Sequence, residues 1–262
     1  MRHERIRTKR EIKRTIIRAA YEGQLFNVDD DAQLDRFEGS ADRFSEIAFR
    51  FQGRPRVLDV GSEGGILLSI LNAGGHEGHA IDVVDSAARY PDVYKEKGIR
   101  FVQCNVEVDP IPYPDGCFDA VSCCQCLEHF THSHLPAMRE FHRVLKPGGI
   151  LEVDVPNAVC FRNRSRMLRG KHITFDYVEH YLEAEPLLYK GMSFYPHRHN
   201  REFTLQELRK LFELSGFKKI EVSYLKSRRV RAGLDRIRTI GTIIRDLVPS
   251  IRKSLIGFGY KE

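Results

Sequence analysis

Apolar positions along the chain change their spacing three times, and each change marks a different kind of element. In residues 3–21, Ile12, Ile16 and Ala20 recur at every fourth position among basic side chains, which predicts an amphipathic helix. After the acidic run Asp29-Asp30-Asp31, a second helical period covers about 33–51 and is closed by Gly53 and Pro55. The pattern then alternates. Residues 56–60 are a short β-branched run, 64–73 are helical, and 79–84 read as a second strand. A polar helix at 87–97 leads to strands at 100–103 and 118–123. A helix at 135–145 then passes through the turn Pro147-Gly148-Gly149 into a strand at 150–155. Strands alternating with helices predict an α/β fold with a mostly parallel sheet covered on both faces.

Residues 157–200 break this rhythm with no clear period and a density of histidine, tyrosine and basic side chains, as expected of a lid inserted into the fold. Thr204 and Glu207 form a capping box for a helix ending at Gly216, and 217–225 is a strand. Leu234, Ile237, Ile240, Ile244, Leu247 and Ile251 form an apolar stripe edged by Arg238, Arg245 and Arg252, so 234–248 reads as a basic amphipathic helix. A strand at 255–260 brings the total to seven. The expected organisation is an N-terminal helical extension, 1–53, followed by one domain, 54–262, containing the lid.

Length and charge sharpen this outline. A chain of 262 residues with 42% hydrophobic side chains supports one main core. The net charge of +6 conceals +6 in residues 1–18, +7 in 226–262 and −7 between them. The protein is an acidic body with basic ends. No apolar run approaches the roughly 18 residues of a membrane span, and charged sequence follows Met1, so a cytoplasmic location is expected. Among the six cysteines Cys123 and Cys126 make one Cys-x-x-Cys spacing with no second pair to match it, which fits reduced thiols better than a zinc site or a disulfide framework, so no metal site is expected.

The candidate chemistry centres on Asp59-Val60-Gly61-Ser62-Glu63-Gly64-Gly65, between the first strand and the first helix of the alternation. Glycines there let backbone approach a ligand, and a helix N-terminus offers free N–H groups. A nicotinamide-binding turn needs Gly-x-Gly-x-x-Gly, but Glu63 occupies the middle position. Asp59 suits a ligand bearing an ammonium group, and Asp82, at the end of the next strand, suits two ribose hydroxyls. A ligand with an amino acid at one end and a nucleoside at the other satisfies both.

At these positions the chain resembles the class I S-adenosylmethionine-dependent methyltransferases, over about residues 54–225. Val57-Leu58-Asp59-Val60-Gly61 matches the first motif and Ile81-Asp82 the ribose-binding acid. Pro112-Tyr113-Pro114-Asp115-Gly116-Cys117-Phe118-Asp119 resembles the run into the fourth strand, followed by Leu127-Glu128-His129. Leu145-Lys146-Pro147-Gly148-Gly149 resembles the turn before the fifth. The resemblance implies a Rossmann-like doubly wound sheet and S-adenosylmethionine as cofactor. Gly61, Ser62 and Gly65 would line its methionine and ribose side, Val83 would pack on adenine, and Asn105 and Val106 would lie near the adenine amino group. Cys123 would present backbone to the methionine ammonium. Two positions depart from the family pattern, Glu63 for the middle glycine and Asn105 for the usual aspartate.

On the acceptor side, His129 follows the fourth strand at the ligand-binding edge and is a candidate base or substrate contact. His199, before Arg201-Glu202-Phe203-Thr204, resembles the end of the lid in family members acting on sugars and related metabolites. The expected reaction is O-methylation of a sugar or other small hydroxyl-bearing metabolite, such as a glycan acceptor. Methylation of a quinone or other lipophilic molecule is the alternative, and a non-catalytic cofactor- or RNA-binding subunit a third reading. The basic C-terminal helix suggests peripheral contact with an anionic membrane. A nucleic-acid acceptor is not expected, because Cys123-Cys124-Gln125-Cys126 stands where base-modifying relatives carry Asn/Asp-Pro-Pro-aromatic.

Overall fold

A computed structural model describes residues 7–25, 31–174, 177–226 and 247–262. Helix α1 (Lys9–Tyr21) starts at a cap inside the expected 3–21 segment. The Thr8 hydroxyl accepts the Glu11 N–H, and the Glu11 carboxylate accepts the Thr8 N–H. Ile12, Ile16 and Ala20 are buried in one cluster with Phe44, Ile47 and Phe51 on and just after α2 (Asp31–Arg50). Lys9–Glu46 and Lys13–Asp42 ion pairs flank that seam.

The alternating segment follows as β1 (Arg56–Val60), α3 (Ile66–Ala73) and β2 (Glu77–Asp82). The single polar helix expected at 87–97 is instead two short ones, α4 (Ser86–Arg89) and α5 (Pro91–Glu96). Pro91 lacks an N–H and pushes Tyr90 out of the helical region, to φ −129, which breaks the run there. Strands β3 (Arg100–Gln103) and β4 (Phe118–Cys124), helix α6 (His134–Val144) and strand β5 (Leu145–Pro156) come next. The glycine turn expected before the fifth strand is an irregularity within β5. Leu145 already pairs with Phe118, and the register shifts before Ala120 meets Ile150.

The expected lid holds regular structure among its described residues: α7 (Phe161–Leu168), a π-helical turn at Val178–Leu182, and a hairpin of β6 (Leu187–Tyr189) with β7 (Met192–Phe194). Elements this short leave too few residues to show a period. Helix α8 (Leu205–Leu214) carries the expected Thr204–Glu207 capping box, and β8 (Lys218–Tyr224) and β9 (Ser254–Tyr260) complete the sheet. The expected helix at 234–248 lies, except for its last two residues, outside the described residues.

The sheet has seven strands in the order β3-β2-β1-β4-β5-β9-β8. All neighbours are parallel except β9, which is antiparallel to both β5 and β8. One face packs Leu58, Val121, Leu151 and Leu255 under α6 and α8. The other packs Val57, Ala80, Ala120 and Ile256 under α1, α2 and α3. This is the Rossmann-like doubly wound arrangement anticipated from the alternation. No helix among the described residues is long and apolar enough to cross a membrane.

The N-terminal helices contribute more than cover. Arg43 of α2 reaches the carboxyl end of β5, where its Nε lies 2.9 Å from Asp154 Oδ2, and Asp154 is fully buried. Removing one member of a buried pair strands the other charge. Arg43→Ala is therefore expected to cost about 3–5 kcal/mol, measured by urea unfolding, whereas loss of the exposed, solvent-screened pair Arg18–Glu22 should leave the unfolding midpoint nearly unchanged.

Candidate functional site

The connections that follow β1 and β4 leave the sheet on opposite faces, toward α3 and α6, and so open a crevice at the carboxyl ends of these adjacent strands. The glycine turn lies on one side. Gly61 adopts φ +74, donates its N–H to the Ile81 carbonyl at 2.9 Å, and would place a Cβ 2.4 Å from Cys126 Sγ. Both its backbone and its close neighbour therefore require glycine.

Glu63, in place of the middle glycine, takes the left-handed conformation with φ +40, and the turn forms around it. Its N–H donates to Asp82 Oδ2 at 3.0 Å, and the Val84 N–H donates to Oδ1 at 3.1 Å. These two bonds fix the Asp82 carboxylate at the end of β2 and leave lone pairs on each oxygen for a ligand.

A cavity of about 230 Å³ occupies the crevice. Gly61, Asp82, Val83, Asn105 and Val106 line it, five of the nine residues expected on the cofactor side. The other four stand behind the wall. Ser62 is buried, with its hydroxyl 2.7 Å from that of Tyr94, so it braces the turn against α5. Gly65 caps α3 at φ +68 and packs on Ile99 and Tyr94. Asp59 is buried under the turn, where desolvation and the neighbouring Asp82 push its carboxyl up to about 8. Cys123 is fully buried, and the wall beyond β4 is made by Gln125 and Cys126.

Cys124 points to the opposite side from Cys123, as strand alternation requires, and its thiol donates to Asp154; Cys126, beyond the end of β4 and the left-handed Gln125, returns to the side of Cys123. Asn105 is more telling. Its Oδ1 accepts the Glu107 N–H, which orients the amide, and its buried Nδ2 has no hydrogen-bond partner among the described residues. An unpaired donor in a cavity wall is a recognition point for an acceptor atom of a ligand.

His129 lies at the far end of the cavity beside Tyr195 and His197, while His199 stands behind it, edge to face at 4.9 Å. His129 Nδ1 lies 2.9 Å from the Arg198 carbonyl, to which it donates. Burial pushes its pKa down to about 4, so it is a neutral imidazole near pH 7. The adjacent Glu128 is buried and pushed up to about 8, again by desolvation. A wider groove of about 960 Å³ runs between α1, α2 and α3 at the amino ends of β1 and β2, far from this cluster.

Residues 32–222 match a methyltransferase domain family. The chain belongs to that family. The methyl donor of this family is S-adenosylmethionine. Among curated relatives, a Vibrio campbellii ubiquinone/menaquinone biosynthesis C-methyltransferase is 36% identical over 106 residues, covering 37% of this chain and 40% of the relative. A Bordetella avium ubiquinone biosynthesis O-methyltransferase is 29% identical over 143 residues, 46% of this chain and 58% of the relative. The matched segments thus span about half the length of these relatives. A chain from the complex of the Haloferax volcanii Trm112 methyltransferase activator with a methyltransferase superposes with a TM-score of 0.60 at 16% identity, covering 94% of this chain and 96% of that one. That likeness concerns the fold.

For this methyltransferase domain, motif reading passed over Gln125, Cys126, Tyr195 and His197 as cavity wall. Gln125, like Glu63, is left-handed, with φ +51, and such strain collects at ligand sites. Two outcomes follow from the turn. Glu63→Gly is expected to leave stability unchanged or raise it by up to about 1 kcal/mol, and Glu63→Val to lower it by about 1–2 kcal/mol, by thermal unfolding. Because folding raises the Asp59 pKa, the protonated native state is favoured at low pH, and that stabilisation is lost as pH rises from about 4 to about 8. Asp59→Asn should flatten this slope in unfolding measured across the same range.

Proposed function

We propose that this methyltransferase domain transfers a methyl group from S-adenosylmethionine to a hydroxyl of a small acceptor of the sugar or related-metabolite class. The observation that carries the cofactor half is the pairing of Asp82, pinned by two backbone N–H groups, with the unpaired Nδ2 of Asn105 on the same cavity wall. In this reading Asp82 accepts the ribose hydroxyls, Asn105 donates to adenine, and Val83 and Val106 pack on the ring. Gly61 brings backbone close, Ser62 and Gly65 hold the turn in shape, and Asp59 and the end of β4 at Cys123 face the amino-acid portion from behind the wall. The cofactor supplies a methyl carbon activated by its sulfonium, so the protein has mainly to align the acceptor and keep water out.

The acceptor half rests on the far end of the cavity. His129 presents a neutral imidazole there, with His199 behind it and Tyr195 and His197 beside it. Imidazole nitrogens and a phenol suit a polar, hydroxyl-bearing acceptor, and His129 and His199 are the groups proposed to take up its proton. A base with a pKa near 4 removes a proton from an unassisted hydroxyl poorly at pH 7, so it needs help from its surroundings. A quinone or other lipophilic acceptor is the second reading, favoured by the names of the Vibrio and Bordetella relatives. Contact with an anionic membrane is proposed through 234–248, most of which lies outside the described residues.

S-adenosylhomocysteine at about 100 times its dissociation constant should stabilise the chain by roughly 2.7 kcal/mol. Asp82→Ala should abolish the shift in melting temperature, and Asn105→Ala should weaken binding by about 1–3 kcal/mol. An unchanged melting temperature with S-adenosylhomocysteine would overturn the cofactor assignment. Mass spectrometry of polar and lipid-linked metabolites, with and without the protein, tests the acceptor. A methyl-sized gain on hydroxyl compounds is expected, and a gain confined to quinones would select the second reading.

A further inference from the structure

The structure assigns Glu128, His129 and His199 to a divalent-cation site at the acceptor end of the cavity, a feature that sequence reading had not anticipated. One ligand atom from each residue lies within 4.8 Å of the other two. Glu128 and His129 are neighbours in sequence, and His199, far on along the chain, is clasped to them by backbone. The Glu128 carbonyl accepts the N–H groups of Asn200 and Arg201, at 2.8 and 3.2 Å, and the Asn200 side-chain amide donates to the His129 carbonyl at 2.8 Å. This clasp presses the segment carrying His199 against the 3-10 turn Leu127–His129 that follows β4.

Two further observations point to a cation. Glu128 is only 1% exposed, and its Oε2 has no hydrogen-bond partner among the described residues. A buried carboxylate oxygen without a partner is costly, and a metal ion satisfies it. His129 donates Nδ1–H to the Arg198 carbonyl, which leaves the Nε2 lone pair bare. Metal-bound imidazoles characteristically donate their second nitrogen to a carbonyl or carboxylate in this way. Glu202, 3.6 Å from His199 Nδ1, stands in the corresponding place for the other ring.

Two imidazoles and one carboxylate suit Zn²⁺, Mn²⁺, Fe²⁺ or Co²⁺ better than the all-oxygen preference of Ca²⁺ and Mg²⁺. Ligand atoms about 2.1 Å from a cation stand roughly 3–3.5 Å apart, so binding draws the three side chains inward by about 1 Å. Three protein ligands leave coordination positions open, and His129 lies on the cavity wall, so an open position is available to the acceptor. A hydroxyl oxygen held there loses its proton more readily, to solvent water, because with the cation bound His129 and His199 act as ligands in place of the base role. This use of the cation rests on the O-methylation reading; the site itself does not.

The test uses the full chain, stripped with chelator and dialysed against Zn²⁺, Mn²⁺ or Co²⁺ separately, with bound metal counted by mass spectrometry and the Co²⁺ form examined by visible absorption. One equivalent per chain is expected, with a Co²⁺ spectrum free of intense thiolate bands. Affinity should fall at least tenfold in Glu128→Gln and His199→Ala, and should be retained in His132→Ala, an exposed histidine outside the cluster. S-adenosylhomocysteine binding by each variant reports whether it is folded and whether the cofactor assignment holds. Wild-type protein that binds S-adenosylhomocysteine but less than stoichiometric metal overturns this site and leaves the methyltransferase reading intact. Unchanged affinity in both ligand variants, or a cobalt–thiolate spectrum from Cys123 and Cys126, equally overturns it.

Discussion

Carboxyl groups gathered at the ends of parallel strands set the terms for the rest of this molecule. Asp59 of β1, Asp82 of β2, Glu152 and Asp154 of β5 and Glu128 just after β4 converge on one edge of the sheet. Burial raises the pKa of each, and repulsion from neighbouring carboxylates adds to this for Asp59, Glu128 and Glu152. The fold tolerates the cluster because separate elements supply partners. Arg43 comes from α2, the Ser122 hydroxyl donates to Glu152 at 2.7 Å, and two backbone N–H groups hold Asp82. The N-terminal helices therefore share a core with the sheet and also supply a cation to the edge where the cavity forms.

The same edge holds two of the four left-handed non-glycine residues among the described residues; the other two, Lys190 and Lys219, lie in the β6–β7 turn and at the register shift of β8. Glu63 and Gln125 are left-handed without being glycine, and both line the cavity. Each residue turns the chain out of a strand end. Glu63 thereby delivers its N–H to Asp82, and Gln125 carries the chain past Asp154, to which its side-chain amide donates. Conformations of this kind cost about 1–3 kcal/mol and persist only where the surroundings over-determine them. Here Tyr94 on one side and Asp154 on the other provide that support.

Much of this edge was legible in the sequence because its signals are local. Gly61, Asp82, Val83, Asn105 and Val106 all sit within three residues of a predicted strand end, so finding the strands finds them. Ser62 illustrates what locality misses. It belongs to the same motif, yet Tyr94 of α5 draws its hydroxyl inward, and nothing in the turn announces that partner. The Arg43–Asp154 pair and the clasp of Glu128 and His129 by residues 198–201 are likewise contacts between segments far apart in sequence. The fragmented elements of 157–200 were illegible for a different reason, since hairpin strands of three residues are too short to display a period.

Charge distribution links these observations to the proposed chemistry. The surplus of acidic residues between 19 and 225 looks, in a net count, like ordinary surface composition, but part of it is buried around the cavity. In the proposed reading, Asp82 on the cavity wall and Asp59 behind it would favour a ligand bearing ammonium and sulfonium charge over the less charged thioether that remains after methyl transfer. Asp59, whose proton is held up to about pH 8 without such a ligand, would release it when a cation arrives. The arrangement that makes the strand ends costly to bury would thus, in the proposed reading, give the cavity a preference for the charged donor, and loss of that charge on transfer would weaken the hold on the product.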